Sequence, residues 1–359
     1  SLSEHNITSI DYQTQPGIDE TYAEYSSFQT TDGKTNTIQD INLDVNYANT
    51  KYEHPENIPD DIKVLPQSIG SGLVKDLYTS MINNDELKTL VNNLVSLSPE
   101  EIYSHMDDLL MLWSGTGIID KTQMRGECKK FVANVVEKFF NRQYTMTDVN
   151  EGTVSENIPS DLIGYFESNY NIIKNKVYTD IIIQTNKYGL FENFSLDVET
   201  NSYNIPDDIT NLDNEIINYV ETASIKETAL LAIVLEQLRR DYAYDFDSEK
   251  LPNDIDITKK TILNRYGNIT FGEMSLFNDI FIAQEDGVSL KDNNGHDIYI
   301  LNNGNNNITD AGQYGNDTYY SGSGNDTITD NSAGNDLVYA GAGNDTIKMS
   351  GNSKSEIYG

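Results

Sequence analysis

Gly295-His-Asp-Ile-Tyr, Gly304-Asn-Asn-Asn-Ile, Gly315-Asn-Asp-Thr-Tyr, Gly324-Asn-Asp-Thr-Ile, Gly334-Asn-Asp-Leu-Val and Gly343-Asn-Asp-Thr-Ile follow one another near the C-terminus, and their reading decides the fold there. The copies fall into frames at 292–300, 301–309, 312–320, 321–329, 331–339 and 340–348, with a slip of two residues before 312 and of one before 331. A weak last frame, 350–358, has Ser355 in the aspartate slot. Glycine lets the backbone turn tightly and aim carbonyl oxygens at an ion. Aspartate adds a hard anionic oxygen. The apolar residues Tyr299, Ile308, Tyr319, Ile328, Val338 and Ile347 start short strands and face a narrow core. One turn cannot bury such a residue, whereas stacked turns can. The predicted metal ligands are the side chains of Asp297, Asn306, Asp317, Asp326, Asp336 and Asp345, with backbone around Gly295, Gly304, Gly315, Gly322, Gly324, Gly334, Gly341 and Gly343. Asp310 and Asp330 fall in the slips and read as bulge residues or alternate ligands.

The rest of the composition agrees with a cation as partner. Net charge is -33, from 24 Lys and Arg against 57 Asp and Glu, which repels nucleic acid and, unless divalent cations intervene, anionic membrane. Hard carboxylate and carbonyl oxygens suit calcium. The sole cysteine, Cys128, excludes an internal disulfide and reads as a buried thiol in a helix. His5, His54, His105 and His296 are scattered, so no zinc-like cluster is expected. No long apolar stretch spans a membrane. The opening Ser-Leu-Ser-Glu-His-Asn-Ile and closing Ser-Glu-Ile-Tyr-Gly both read as interior sequence, and the chain is expected to be part of something longer.

Its 359 residues divide into three parts. Residues 1–50 read as short strands at Ser9–Tyr12, Tyr25–Thr30 and from Ile38, with a turn at Asp32-Gly33. Residues 56–265 read as mainly helical. Leu87, Leu90, Val91, Leu94 and Val95 form a helical stripe over 84–97. Ser98-Pro-Glu-Glu is a capping signature opening a helix that ends at Gly115. Further helices are predicted from Leu73 and over 125–140, 159–170, 172–185 and 224–240, with one more within 201–222. Trp113 is assigned to the core. The acidic pairs at 60–61, 107–108 and 207–208 read as helix starts or exposed faces rather than catalytic groups. No phosphate loop or nucleophile elbow is present, and no enzymatic activity is expected. Residues 266–359 begin with lead-in strands over 277–283 and 286–290, and half of the 24 glycines lie from Gly287 onward. The predicted fold class is therefore α+β and multidomain, a helical central domain followed by a calcium-binding parallel β-roll.

The repeat resembles the RTX nonapeptide of calcium-binding secreted proteins. That resemblance implies that aspartates two frames apart converge with backbone carbonyls on one ion. The pairs are then Asp297/Asp317, Asn306/Asp326, Asp317/Asp336 and Asp326/Asp345, about four ions in all, with the Asn306 site weakest for want of a charge. Without calcium the close carboxylates repel, so folding is expected to be coupled to binding. Upstream, Ser-Leu-Ser-Glu-His-Asn-Ile-Thr-Ser-Ile-Asp at 1–11, the stretches 26–33 and 38–44, Leu65–Met81 and Leu112-Trp-Ser-Gly resemble the iron-regulated FrpC-like members, from the end of a self-processing module onward. Such modules cleave an Asp-Pro bond. This chain has no Asp-Pro dipeptide, and no catalytic residue transfers to it. The resemblance implies type I secretion from a Gram-negative bacterium and a virulence-associated role at a host cell surface or beside another domain of the parent protein. A surface adhesin or S-layer-like protein is the alternative, and a hydrolase hidden in the helices a further one. The roll serving only secretion and folding is the plainer reading.

Overall fold

The computed structural model describes strands at 7–13, 23–30 and 35–41 within the first fifty residues. From residue 57 it describes the chain except at 127, 144–145, 149–152, 156, 159–161, 199, 207–208, 210, 243, 245, 266–269, 272–278, 284–285, 293–294 and 351–354. Two units separate, residues 1–50 and 51–359.

The first unit is an antiparallel meander of β1 (Ile7–Gln13), β2 (Ala23–Thr30) and β3 (Thr35–Ile41). Tyr12 lies opposite Ser26, and Ser26 opposite Ile38. The predicted turn at 32–33 lies outside the described residues.

The second unit opens with helices α1 (Asp60–Lys63), α2 (Leu77–Ile82), α3 (Asp85–Leu94), α4 (Pro99–Ser104), α5 (Met106–Trp113) and α6 (Lys130–Phe139). It continues with α7 (Ile163–Thr185), α8 (Leu212–Thr222), α9 (Ile225–Tyr242) and α10 (Ile257–Arg265). The capping box is present: Glu101 N–H donates to Ser98 Oγ at 3.3 Å, and Ser98 N–H to Glu101 Oε2 at 2.8 Å. The helix it opens breaks at His105 into α4 and α5. Trp113 is structural, its Nε1 donating to the Lys75 carbonyl at 2.8 Å with Phe139 edge-on. Cys128 is buried, but in a two-residue strand rather than a helix.

Two further expectations change. The separate helices predicted on either side of residue 171 are one helix, α7, and its buried Asn171, Lys174 and Asp180 explain the broken apolar periodicity. Asp107, in a pair read as a helix start or an exposed face, does stand in the first turn of α5 but is buried, between Lys174 Nζ at 2.9 Å and Tyr170 Oη at 2.8 Å. A buried charge persists only when paired in this way. Among the described residues no helix is long and apolar enough to cross a membrane.

After α10 the chain coils. Strands at 270–271, 279–282, 298–300, 318–320, 337–339 and 356–358 form one parallel sheet, and those at 289–292, 307–310, 327–330 and 346–349 form a second. Ile280, Ile282, Ile298 and Ile300 of the first sheet join the same buried cluster as the helices. A second, narrower core inside the coil holds Tyr299, Leu301, Ile308, Tyr319, Ile328 and Val338. The lead-in strands therefore belong to the roll itself, and its first coils share the helical core.

Candidate metal centre

Parallel register places repeats of equal phase directly over one another. Tyr299 lies opposite Tyr319, Tyr319 opposite Val338, and Ile308 opposite Ile328. The inner rings of Tyr299 and Tyr319 stack at 4.6 Å. The slips are absorbed in the turns, because all the strands stay in register. Two turn edges result. Asp297, Asp317 and Asp336 line one edge, and Asn306, Asp326 and Asp345 the other.

Along each edge a carboxylate accepts the main-chain N–H of its counterpart one coil earlier. Asp297 N–H donates to Asp317 Oδ1 at 2.7 Å and Asp317 N–H to Asp336 Oδ1 at 3.1 Å. Asn306 N–H donates to Asp326 Oδ1 at 2.8 Å and Asp326 N–H to Asp345 Oδ1 at 2.9 Å. These four links join the four residue pairs expected from the frames. Ser355, in the aspartate slot of the last frame, donates its Oγ proton to Asp336 Oδ2 at 3.0 Å.

The glycines are required by close stacking of the backbone. A Cβ on Gly334 would lie 1.4 Å from the Gly315 carbonyl oxygen, and one on Gly343 1.6 Å from that of Gly324. Gly341 stands likewise over Gly322, and a Cβ on Gly324 would strike the Gly304 oxygen. Gly315, stacked over the Gly295 carbonyl, would place its Cβ 2.5 Å from Asp317 Oδ2. The space beside that carboxylate is thus open only because the residue is glycine.

The residues inserted by the slips add to the first edge. Asp310 and Asp330 are both buried, and each offers a carboxylate oxygen to a group with Asp317 whose members lie within 4.8 Å of one another. Local donors hold them: Gly312 N–H reaches Asp310 Oδ1 at 2.7 Å, and Ser332 N–H reaches Asp330 Oδ1 at 2.8 Å. Tyr319 Oη donates to Asp330 Oδ2 at 3.1 Å. Their signal in the sequence was an aspartate recurring at the end of alternate frames, outside the nonapeptide. An outer ladder escaped sequence reasoning altogether. Asn325 N–H donates to Asn305 Oδ1 and Asn344 N–H to Asn325 Oδ1, at 2.8 and 2.9 Å. Its signal is the asparagine before each repeat aspartate, and His296 fills that place in the first frame by accepting Asn316 N–H at 2.7 Å.

Electrostatics of the metal-free edge are unfavourable. Burial, followed by the charges of Asp297 and Asp310, pushes the Asp317 carboxyl up to about 9. Burial and Asp330 raise Asp336 as well. Tyr319 is raised by burial and by the surrounding carboxylates. On the other edge Asp326 is buried, and its Oδ2 has no hydrogen-bond partner. The orphaned oxygen of Asp326, carbonyl-bearing turns and carboxylates crowded into one group are the donor set that a hard cation of calcium's size neutralises. The residues present therefore fit calcium.

Elsewhere a cavity of about 340 Å³ lies between helices and the first coils, lined by residues that include Tyr103, Asp107, Lys121, Lys174, Phe281 and Val288. Its charges answer one another. Burial, the largest single influence, acts to raise the Asp107 carboxyl, but Lys174, Tyr170 and Lys121 together hold the group below its usual value.

A parallel solenoid with acidic turn edges defines a calcium-binding repeat roll. The family model of the RTX calcium-binding nonapeptide repeat (4 copies) matches residues 311–328, within the frames whose geometry is described above. No curated protein and no solved structure matches the chain. Residues 311–328 thus carry RTX-type calcium-binding repeats within the parallel roll.

Proposed function

We propose that the chain is the calcium-stabilised part of a secreted RTX-type protein, and that its roll completes folding when calcium enters the turn edges outside the cell. The buried group of Asp310, Asp317 and Asp330 carries this reading. Three carboxylates so close are costly without a cation and become a binding site with one. Calcium would be held on one edge by Asp297, Asp310, Asp317, Asp330 and Asp336, and on the other by Asp326 and Asp345, with turn carbonyls completing each shell. The ion's role is structural, replacing repulsion between coils by shared ligation. No residue is assigned to catalysis.

Export by a type I route from a Gram-negative bacterium, and a virulence-associated role at a host surface, rest on the resemblance of the repeat and of the stretches upstream. The helical region then connects or presents other parts of the parent protein. Circular dichroism during a calcium titration from chelator tests the central claim. Strand signal should rise with calcium, and an unchanged spectrum would refute calcium-coupled folding.

A further inference from the structure

We propose that Asn306 is a built-in cation surrogate: its side-chain amide closes one edge of the first repeat coil without calcium, making that coil a template for the calcium-dependent turns. The inference rests on the calcium reading of the roll and concerns which of its sites need no ion.

Asn306 is buried, and its Nδ2 sits among four oxygens. These are the carbonyls of Asn302 at 3.1 Å, Gly304 at 3.2 Å and Ser321 at 2.9 Å, and Asp326 Oδ1 at 3.0 Å. Backbone carbonyls from two successive coils and a carboxylate converging on one point make a cation cage. Here the point is occupied by an amide nitrogen with two donor hydrogens. The orientation of the amide is fixed from its other end, because Asn306 Oδ1 accepts Val288 N–H at 3.0 Å. A flipped amide would set oxygen against four oxygens and nitrogen against a donor.

The next coil supplies the contrast. Asp326 occupies the corresponding slot, and the frame places Gly322, Gly324 and Ala340 where Asn302, Gly304 and Ser321 stand one coil earlier. Asp326 Oδ2 is buried without a hydrogen-bond partner. One side-chain atom therefore separates a slot satisfied by protein alone from one that lacks a positive partner. A buried polar atom left unsatisfied costs stability, whereas a fully bonded one does not.

The position of the latch gives it consequence. Asn302, whose carbonyl is one of the four accepting oxygens, also accepts a hydrogen bond from Lys226 Nζ of α9 through its side chain at 2.8 Å. Ile298 and Ile300, in the strand leading into this turn, lie in the helical core. Tyr320, one coil further on, meets Thr258 of α10 by a hydrogen bond between their hydroxyls. The coil that closes without an ion is thus itself fastened to the helices through Asn302, Ile298 and Ile300, and parallel strands stack onto a preformed edge at lower entropic cost than onto a disordered one.

Hydrogen exchange of the whole chain in chelator tests this, together with counting bound calcium. In the parent, amides over 302–309 should stay protected in chelator while those over 337–349 exchange. Asn306→Asp should speed exchange over 302–309 in chelator by at least about tenfold, regain protection in calcium, and bind one more calcium per chain than the parent. Asn306→Ala should lose the chelator protection and gain no ion. Chelator protection unchanged in both variants, or an Asn306→Asp chain that binds no additional calcium, would overturn the proposal. Failure of the parent's distal coils to respond to calcium would instead refute the calcium reading itself, so the two failures are distinguishable.

Discussion

Replacing Asp317 by asparagine separates the electrostatic cost of the metal-free roll from the benefit of the bound ion. In the folded chain without metal the Asp317 carboxyl is raised to about 9, against an ordinary value of 3.8. The sign follows from proton binding. A carboxyl whose folded value is raised adds no penalty below the unfolded value, since both states are then protonated. The penalty grows as pH rises from about 4 and is complete above about 9. At pH 7 it spans roughly three pH units, at most about 4 kcal/mol for a single group. Asparagine removes that penalty and keeps an oxygen for the Asp297 N–H, now 2.7 Å from Asp317 Oδ1. In chelator, therefore, Asp317→Asn should retain strand signal to higher pH than the parent. In calcium it should do worse, because the ion loses an anionic ligand and its apparent affinity falls. Circular dichroism from pH 4 to 9 in chelator, with a calcium titration at pH 7, measures both arms. A variant whose chelated signal declines with pH as steeply as the parent's would refute the reasoning, as would undiminished calcium affinity.

Gly343→Ala should cripple the last coils: its Cβ would fall 1.6 Å from the Gly324 oxygen at a φ of +147°, and a loss of at least about 2 kcal/mol is expected. A raised calcium midpoint for the strand signal, with helical signal retained, would register it. Lys174→Met should leave Asp107 buried without its 2.9 Å partner and lower the stability of the helical core by about 3–5 kcal/mol. Thermal unfolding followed by helical signal checks this, and the calcium midpoint of the roll should stay near the parent's.

The roll was legible in the sequence because each repeat position serves one physical need. Tyr319 must face inward, Gly334 must clear the Gly315 carbonyl, and Asp317 must face the turn. The aspartate pairs followed from counting frames, since a solenoid turns sequence spacing directly into spatial neighbours. The helical region was less legible because tertiary contacts override local pattern there. Lys174 and Asp180 interrupt the apolar stripe of α7, yet both are buried, one against Asp107 and the other held by Ser68 Oγ at 2.6 Å and Lys176 Nζ at 2.5 Å. His105 ends one helix and begins the next within a single apolar run, and Ile102, Met106 and Leu109 are buried on either side of it. Nor could the sequence show that Ile280 and Ile298 would join the helical core rather than the narrow one, because that depends on which face of the coil the helices cover.

Departures from the repeat carry more information than its regular part. Both slips fall before frames of the same edge, so the extra aspartates Asp310 and Asp330 enter beside Asp317, concentrating negative charge where burial already raises its carboxyl. Within the six full frames the one loss of an aspartate, at Asn306, falls on the opposite edge and in the coil tied to α9 through Lys226 and Asn302. A regular array would make all coils depend equally on calcium, and none would be favoured to form first. With one edge overloaded and one turn closed by an amide, the free-energy cost of a missing ion differs from coil to coil. Calcium should therefore order this roll unevenly: the coil against the helices needs it least, and the Asp310–Asp317–Asp330 group has the most repulsion to relieve.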